Sequence, residues 1–174
     1  MGFLLNSGEK SGELWVTLDN NSVQRGYMSQ FQPSYIDTFE HALDEKGRVT
    51  VPSEWRVEGF EPNLVIVPSK DGCLKVYPAS WLARLQAKLN EEGARIDDPR
   101  RQAFETLASI AQAGSWDLQG RMGLKDSLRK AVGIKRKSVL VGCSDHFKIW
   151  AAEKYAELTQ REITLEDAAK ILGI

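Results

Sequence analysis

The feature that most restricts what this chain can fold into is an internal repeat. "LDEKGRVTVP" (43–52) contains Asp44-x-x-Gly47-Arg48, and "DLQGRMGL" (117–124) contains Asp117-x-x-Gly120-Arg121, 73 positions later (117 − 44). The same spacing lays Val51 on Leu124, Trp55 on Leu128 and Arg56 on Arg129. Without a gap it also lays "VIVP" (65–68) on "SVLV" (138–141) and "LKVY" (74–77) on "FKIW" (147–150). Agreement in identity and chemistry spread over roughly 40 positions marks a duplication.

Each copy reads alike. A strand enters the Asp-x-x-Gly-Arg turn and a second strand leaves it ("RVTVP"; "RMGL"). A short helix follows ("SEWRVEG"; "KDSLRKAVG"), the second ended by Gly133. Two β-branched runs come next, "NLVIVP" and "CLKVYP", then "SVLVG" and "HFKIW", joined by turns at "DGC" (71–73) and "CSDH" (143–146). Helical spacing in "PASWLARLQAKLNEE" puts Trp81, Leu82, Leu85 and Leu89 on one face. "DDPRRQAFETLASIAQAG" reads as a helix with Asp98 as N-cap, Pro99 at its first position and Phe104, Leu107 and Ala111 in its buried stripe. "TLEDAAKIL" opens with a capping-box pattern at Thr164 and Asp167. Such apolar stripes belong to a core or to a subunit contact. Residues 1 to 34 form a polar, flexible arm in which "GELWVTL" can make one short strand; compact patterning begins at Tyr35.

Apolar residues make up 42% and charged residues 27% of the 174, the balance of a soluble globular chain. No apolar run approaches the roughly 18 residues of a membrane span. The opening "MGFLLNS" lacks the basic region and the apolar length of a signal peptide, and Asn6 stands where a myristoylation pattern wants Ser or Thr. Cys73 and Cys143 have no metal-like spacing and make no disulfide framework, which points to a reduced cytoplasm. Net charge is −1, whereas a protein that merely coats nucleic acid is strongly basic. The charge is uneven, however. Arg121, Lys125, Arg129, Lys130, Lys135, Arg136 and Lys137 face a lone Asp126, while acids gather at Glu91-Glu92, Asp97-Asp98 and the C-terminus. A solvated surface is the plain reading of such a cluster. His41 and His146 sit at unmatched repeat positions, and no P-loop, dinucleotide fingerprint or nucleophile elbow is present, so no catalytic constellation emerges.

The turn itself has a physical logic. Asp at its first position accepts backbone N–H bonds two or more residues on. Gly three positions later takes the positive φ that a side chain resists. Arg then heads the next strand with five donors in a planar fork, suited to phosphate or to the guanine edge. The same spacing suits a salt bridge, within a turn or across the two, that only fixes the loop; spacing alone does not separate these readings.

"LDEKGRVTVP", "DGCLKVYPASW", "DPRRQAF" and "DLQGRMGLKDSLRKAVGIKRKSVLVGCSDHFKIW" together resemble the MraZ family over roughly residues 35 to 158. The resemblance implies an α+β fold, a pseudo-twofold double-repeat swapped-hairpin β-barrel (AbrB-like) with flanking helices. Its parts are a flexible extension (1–34), a first AbrB-type repeat (35–81), linking helices (82–111), a second repeat (112–155) and a C-terminal helical tail (156–174). It further implies a cytoplasmic, nucleoid-associated regulator, not an enzyme. Such a regulator assembles into ring-shaped homo-oligomers and binds double-stranded DNA at short direct repeats upstream of the division and cell-wall gene cluster, which it generally represses. Lys46, Arg48 and Arg121 match the family's DNA contacts, and Arg56 and Arg129 complete the DNA-binding set. Asp44, Gly47, Asp117 and Gly120 shape the turns. No cofactor or metal is expected. The chain departs from the family pattern at Gln119, which stands where a cation is common, at "RMGLK", which lacks the proline of "RVTVP", and in its arm, either an added contact or an expression artefact. The first two differences make the second turn the poorer DNA reader. The competing expectation is an antitoxin-like or scaffold ring that does not read DNA.

Overall fold

The computed structural model describes residues 34–93, 95, 97–159 and 164–173; the arm and the strand expected in "GELWVTL" lie outside them. The described elements are β1 Thr38–Ala42, β2 Arg48–Thr50, a 3-10 turn Ser53–Trp55, β3 Asn63–Pro68, β4 Leu74–Pro78, α1 Ala79–Glu91, α2 Pro99–Ile110, β5 Gln112–Ser115, β6 Arg121–Gly123, α3 Asp126–Val132, β7 Lys137–Gly142, β8 Phe147–Ala151, α4 Ala152–Thr159 and α5 Leu165–Leu172. The fold is mixed α+β.

Six strands form an antiparallel sheet in the order β1-β7-β8-β4-β3-β5, and β2 pairs with β6 in a separate ribbon. Exchanging the repeats (β1 for β5, β2 for β6, β3 for β7, β4 for β8) reverses the sheet order and leaves it otherwise unchanged. Lys75 faces Lys148 at the sheet centre and Val49 faces Met122 at the ribbon centre, each pair made of equivalent residues or their neighbours across the pseudo-twofold. The first strand of each repeat pairs with the hairpin of the other, β1 on β7 and β5 on β3. With β1 and β5 at its edges, the six-stranded sheet is not closed into a barrel by hydrogen bonds; a single Trp116–Met122 bridge links the end of β5 to the ribbon.

The gapless correspondence of 73 holds at the turns, the ribbon and β4/β8, but fails between them. Asn63 of β3 corresponds to Lys137 of β7, an offset of 74 (137 − 63), so "VIVP" lies on "VLVG" (139–142) rather than on "SVLV". The extra residue sits beyond α3, and the following hairpin absorbs it. Ser69 N–H bonds to Cys73 C=O in the first repeat, whereas Cys143 N–H bonds to His146 C=O in the second, one residue shorter. A one-residue slip would turn each side chain to the wrong face; the compensation keeps Ile66 and Leu140 equivalent and buried. The short helix of the first repeat is only a 3-10 turn, because Val57 and Gly59 are weaker helix formers than their counterparts Lys130 and Val132. In the second, Gly133 ends α3 in the left-handed conformation as the sequence predicts.

The core lies where the two repeats interlock. Val49, Val51, Ile66, Leu74, Val76, Met122, Leu140, Phe147 and Ile149 are fully buried. Trp55 packs at 5.5 Å on Tyr35, 5.2 Å on Phe39 and 5.0 Å on Phe147, and its indole N–H donates to Ile36 C=O at 2.9 Å. At the place of Phe39 the second repeat carries Gln112. Its amide is buried because both ends are satisfied: Nε2 donates to Gly123 C=O and Oε1 accepts from Lys125 N–H, each at 2.8 Å. The helix expected from Asp97 to Gly114 stops at Ile110, and Gln112–Ser115 becomes β5; pairing with β3 overrides local propensity. Asp98 caps α2 and Thr164 caps α5 as their sequences predict. The stripes of α1 and α2, in contrast, are not core, since neither helix has a buried residue. Trp55→Ala is expected to lower stability by about 3–5 kcal/mol, the range for deleting a large buried aromatic, read as a reduced urea midpoint.

Candidate nucleic-acid interface

The two Asp-x-x-Gly-Arg turns repeat one another bond for bond. Asp44 N–H donates to Arg48 C=O and Gly47 N–H to Asp44 C=O, both at 2.9 Å; the Asp44 carboxylate accepts from Lys46 N–H at 3.0 Å and Arg48 N–H at 2.9 Å. Asp117 N–H donates to Arg121 C=O at 3.0 Å and Gly120 N–H to Asp117 C=O at 2.8 Å; the Asp117 carboxylate accepts from Gln119 and Arg121 N–H at 2.9 Å. The second carboxylate oxygen of each Asp takes its own Arg. Arg48 Nε and Nη2 lie 2.7 and 2.6 Å from Asp44 Oδ2, and Arg121 Nε and Nη2 lie 3.0 and 2.9 Å from Asp117 Oδ2. Arg48 Nη1 also stands 3.7 Å from Asp117 Oδ2, so the turns touch electrostatically.

The ribbon sets them side by side. Arg48 faces Gly123 and Thr50 faces Arg121, with Val51 N–H bonded to Gly120 C=O at 2.8 Å and Leu124 N–H to Gly47 C=O at 3.1 Å. Each glycine carbonyl thus receives a donor from the opposite repeat. Gly47 and Gly120 have φ of +72° and +77°, and each is covered by an arginine of the other repeat. A Cβ on Gly47 would lie 2.8 Å from Arg129 Cζ, and one on Gly120 only 2.5 Å from Arg56 Cζ. Two separate demands therefore require glycine, the left-handed backbone and the guanidinium above it.

The sequence-predicted residues all gather here, in unlike roles. Lys46 is exposed at the tip of the first turn and makes no ion pair among the described residues. Arg48 and Arg121 are half-buried; each has Nε and Nη2 held by its own aspartate, and Arg48 also turns Nη1 toward Asp117. Arg56 donates from Nε to Val51 C=O at 2.9 Å and Arg129 from Nη2 to Asp126 at 3.0 Å, and these bonds hold each guanidinium over the glycine of the opposite turn. The sequence reading missed Leu118, which is completely exposed at the tip of the second turn where the first carries Glu45. Turn position marks its place, but an apolar residue at a tip carries no recognisable motif. Among the described residues no cluster of His, Cys, Asp and Glu is arranged to hold a metal, and no helix is long and apolar enough to cross a membrane.

The hydrogen bonds stabilise the charged carboxylates. Arg48, through its side chain and then its backbone N–H, holds Asp44 below the usual carboxylate range, and the Arg121 backbone N–H and side chain hold Asp117 at about 2. A carboxyl depressed in the folded state stabilises the fold above its unfolded pKa, and that contribution is lost as pH falls through the folded value. Carbonyl-detected NMR should therefore show Asp117 ionised well below pH 4 and titrating near 2, with its contribution to stability disappearing between roughly pH 4 and 2. Titration at an ordinary carboxylate value would contradict the hydrogen-bonded turn.

The family model described as "MraZ protein, putative antitoxin-like" matches residues 35–105 and again 107–171. The chain is 35% identical over 139 residues to the transcriptional regulator MraZ of Lactiplantibacillus plantarum, covering 79% of this chain and 97% of that protein. It is 35% identical over 136 residues to the transcriptional regulator MraZ of Symbiobacterium thermophilum (76% and 96%) and 36% identical over 124 residues to that of Corynebacterium jeikeium (71% and 85%). With both repeats matched in tandem and these relatives covered over most of their length, the chain belongs to the MraZ family.

Proposed function

We propose that the protein is a sequence-specific DNA-binding transcriptional regulator, acting in the cytoplasm on the nucleoid as a repressor of the division and cell-wall gene cluster. In this reading it binds short direct repeats of double-stranded DNA upstream of its own operon. The observation that carries it is the juxtaposition of two identically hydrogen-bonded turns, with the exposed Lys46 at one tip and the half-exposed guanidinia of Arg48 and Arg121 held in place by aspartate. An arginine whose inner edge is pinned by aspartate loses little further conformational freedom when its outer edge meets a phosphate or a guanine. The interlocked repeats favour the swapped-hairpin barrel of AbrB-type modules as the parent architecture, and the names of the curated relatives agree with a regulatory role.

A ring-shaped homo-oligomer is part of the proposal. Leu85 and Leu89 of α1 and Phe104 and Leu107 of α2 line an apolar groove that no other described element fills, and Ile110 at the end of α2 is 48% exposed. Several copies on consecutive DNA repeats would convert weak single contacts into useful affinity. An antitoxin-like or scaffold ring is the second reading, favoured by the wording of the family description and by the same groove. A stoichiometric protein partner without duplex binding would select it.

Fluorescence anisotropy on DNA from upstream of the protein's own gene, beside a scrambled duplex, tests the main reading. Tight binding to the native duplex alone is expected. Lys46→Ala should weaken it and lower the slope of log K against log salt by about 1, with an unchanged circular-dichroism spectrum. Arg48→Ala should reduce binding more severely, because it removes a donor fork and releases Asp44; loss of the native spectrum in that variant would make Arg48 structural only. Phe104→Asp is expected to reduce the mass seen by light scattering to that of a smaller assembly while the fold is retained.

A further inference from the structure

The charge of the paired turns poses a problem for DNA binding. Asp44, Glu45 and Asp117 balance Lys46, Arg48 and Arg121, so the turns together carry no net charge. Of the basic cluster downstream, Arg129 and Lys130 are paired with Asp126, and Arg121 with Asp117. Phosphate attraction must come from cations not already neutralised.

Besides Lys125, which is exposed and follows Leu124 on the Gly47 carbonyl of the first turn, three consecutive cations meet that condition: Lys135, Arg136 and Lys137. All three are exposed, and none forms an ion pair among the described residues. In sequence they follow the second turn, but β7 carries them to the first. Lys137 pairs with Ala42 across β1–β7, and Arg136 C=O accepts from Leu43 N–H at 2.7 Å, directly before Asp44. Lys46 is three residues further on, at most about 10 Å of chain. The pseudo-twofold shows what the second turn has instead. With the offset of 74 found at β3 and β7, the counterparts of Lys135, Arg136 and Lys137 are Glu61, Pro62 and Asn63, and Asn63 pairs with Ser115 just before that turn. Glu61 is itself engaged, accepting from Ser80 N–H at 3.0 Å. The second turn adds only the neutral Leu118 and Gln119.

We propose that Lys135-Arg136-Lys137 is a phosphate-binding site serving the first turn, which gives the interface a cationic end and a neutral end and so fixes the direction in which the protein lies on DNA. The inference rests on the DNA-binding reading above and adds to it the residues that hold the backbone. The strand exchange makes this possible: the second repeat supplies the electrostatic anchor of the first repeat's reading turn.

The test uses the full chain and the native and scrambled duplexes, with Lys135→Gln/Arg136→Gln/Lys137→Gln, a charge-matched control (Lys70→Gln/Arg95→Gln/Lys170→Gln) and the single reversal Lys135→Glu, which installs the charge of its counterpart Glu61. The triple variant is expected to keep the native circular-dichroism spectrum and to lose at least about tenfold in affinity near 0.15 M salt, with a salt slope smaller by about 2 to 3. Lys135→Glu should fall between it and the wild type, and the control should bind as the wild type does. Phosphate ethylation interference should show wild-type contacts extending beyond the base-reading region on one flank only, and that extension should vanish in the triple variant. Wild-type affinity and slope in the triple variant, an equal loss in the control, or interference symmetric about each half-site would overturn the inference. Failure of the wild type to bind any duplex would overturn the underlying reading and this inference with it, an outcome distinguishable because no variant is then needed to see it.

Discussion

Val49 and Met122 face each other at the centre of a ribbon only three residues long on each side, and both are wholly buried. Alone, a two-stranded ribbon of that length is not stable in water. Here it persists because its inner face is the floor of the core, and because the carbonyls of Gly47 and Gly120 each take a backbone donor from the opposite repeat. Removing either strand leaves the other without its ladder and the core without its floor. The repeats therefore complete one another, and the placement of both turns follows from that one pairing.

Within each turn a single aspartate organises most of the loop. One oxygen gathers two backbone N–H groups and the other orients an arginine, leaving the carboxylate firmly ionised. The arrangement trades net charge for geometry: the arginine is held but half-neutralised, and among the described residues of the two turns Lys46 is the cation left without an ion pair. In the proposed DNA-binding reading, specificity comes from the arginines fixed at the turns, and affinity from cations nearby and from the number of copies engaged.

Much of this was legible in the chain. The duplication, the strand identities, the Asp98 and Thr164 caps and the gathering of Asp44, Gly47, Arg48 and their counterparts all rest on local chemistry that short stretches encode. Other features were not. The one-residue shift between β3 and β7 is invisible in a gapless comparison, because the loops on either side compensate for it and apolar residues fill both alignments. Gln112 reads as the tail of a helix until β3 is there to pair with it and Gly123 and Lys125 are there to satisfy its amide. That Arg56 and Arg129 each lie over the glycine of the opposite turn is likewise written in no single stretch.

By itself the sequence determined the parts: two like units, each with a turn whose aspartate, glycine and arginine need no distant partner to take their shape. Hydrogen bonds spanning four residues and a positive φ are local events, and local events leave a local signature. Only the tertiary structure decided what those parts stand beside. Strand exchange sets the two turns together, slides Arg129 and Arg56 over the opposite glycines and returns Lys135–Lys137 to the first turn, some ninety residues back along the chain. Such neighbours are chosen by which edges pair and which faces must leave water, and both are properties of the assembled sheet rather than of any stretch within it.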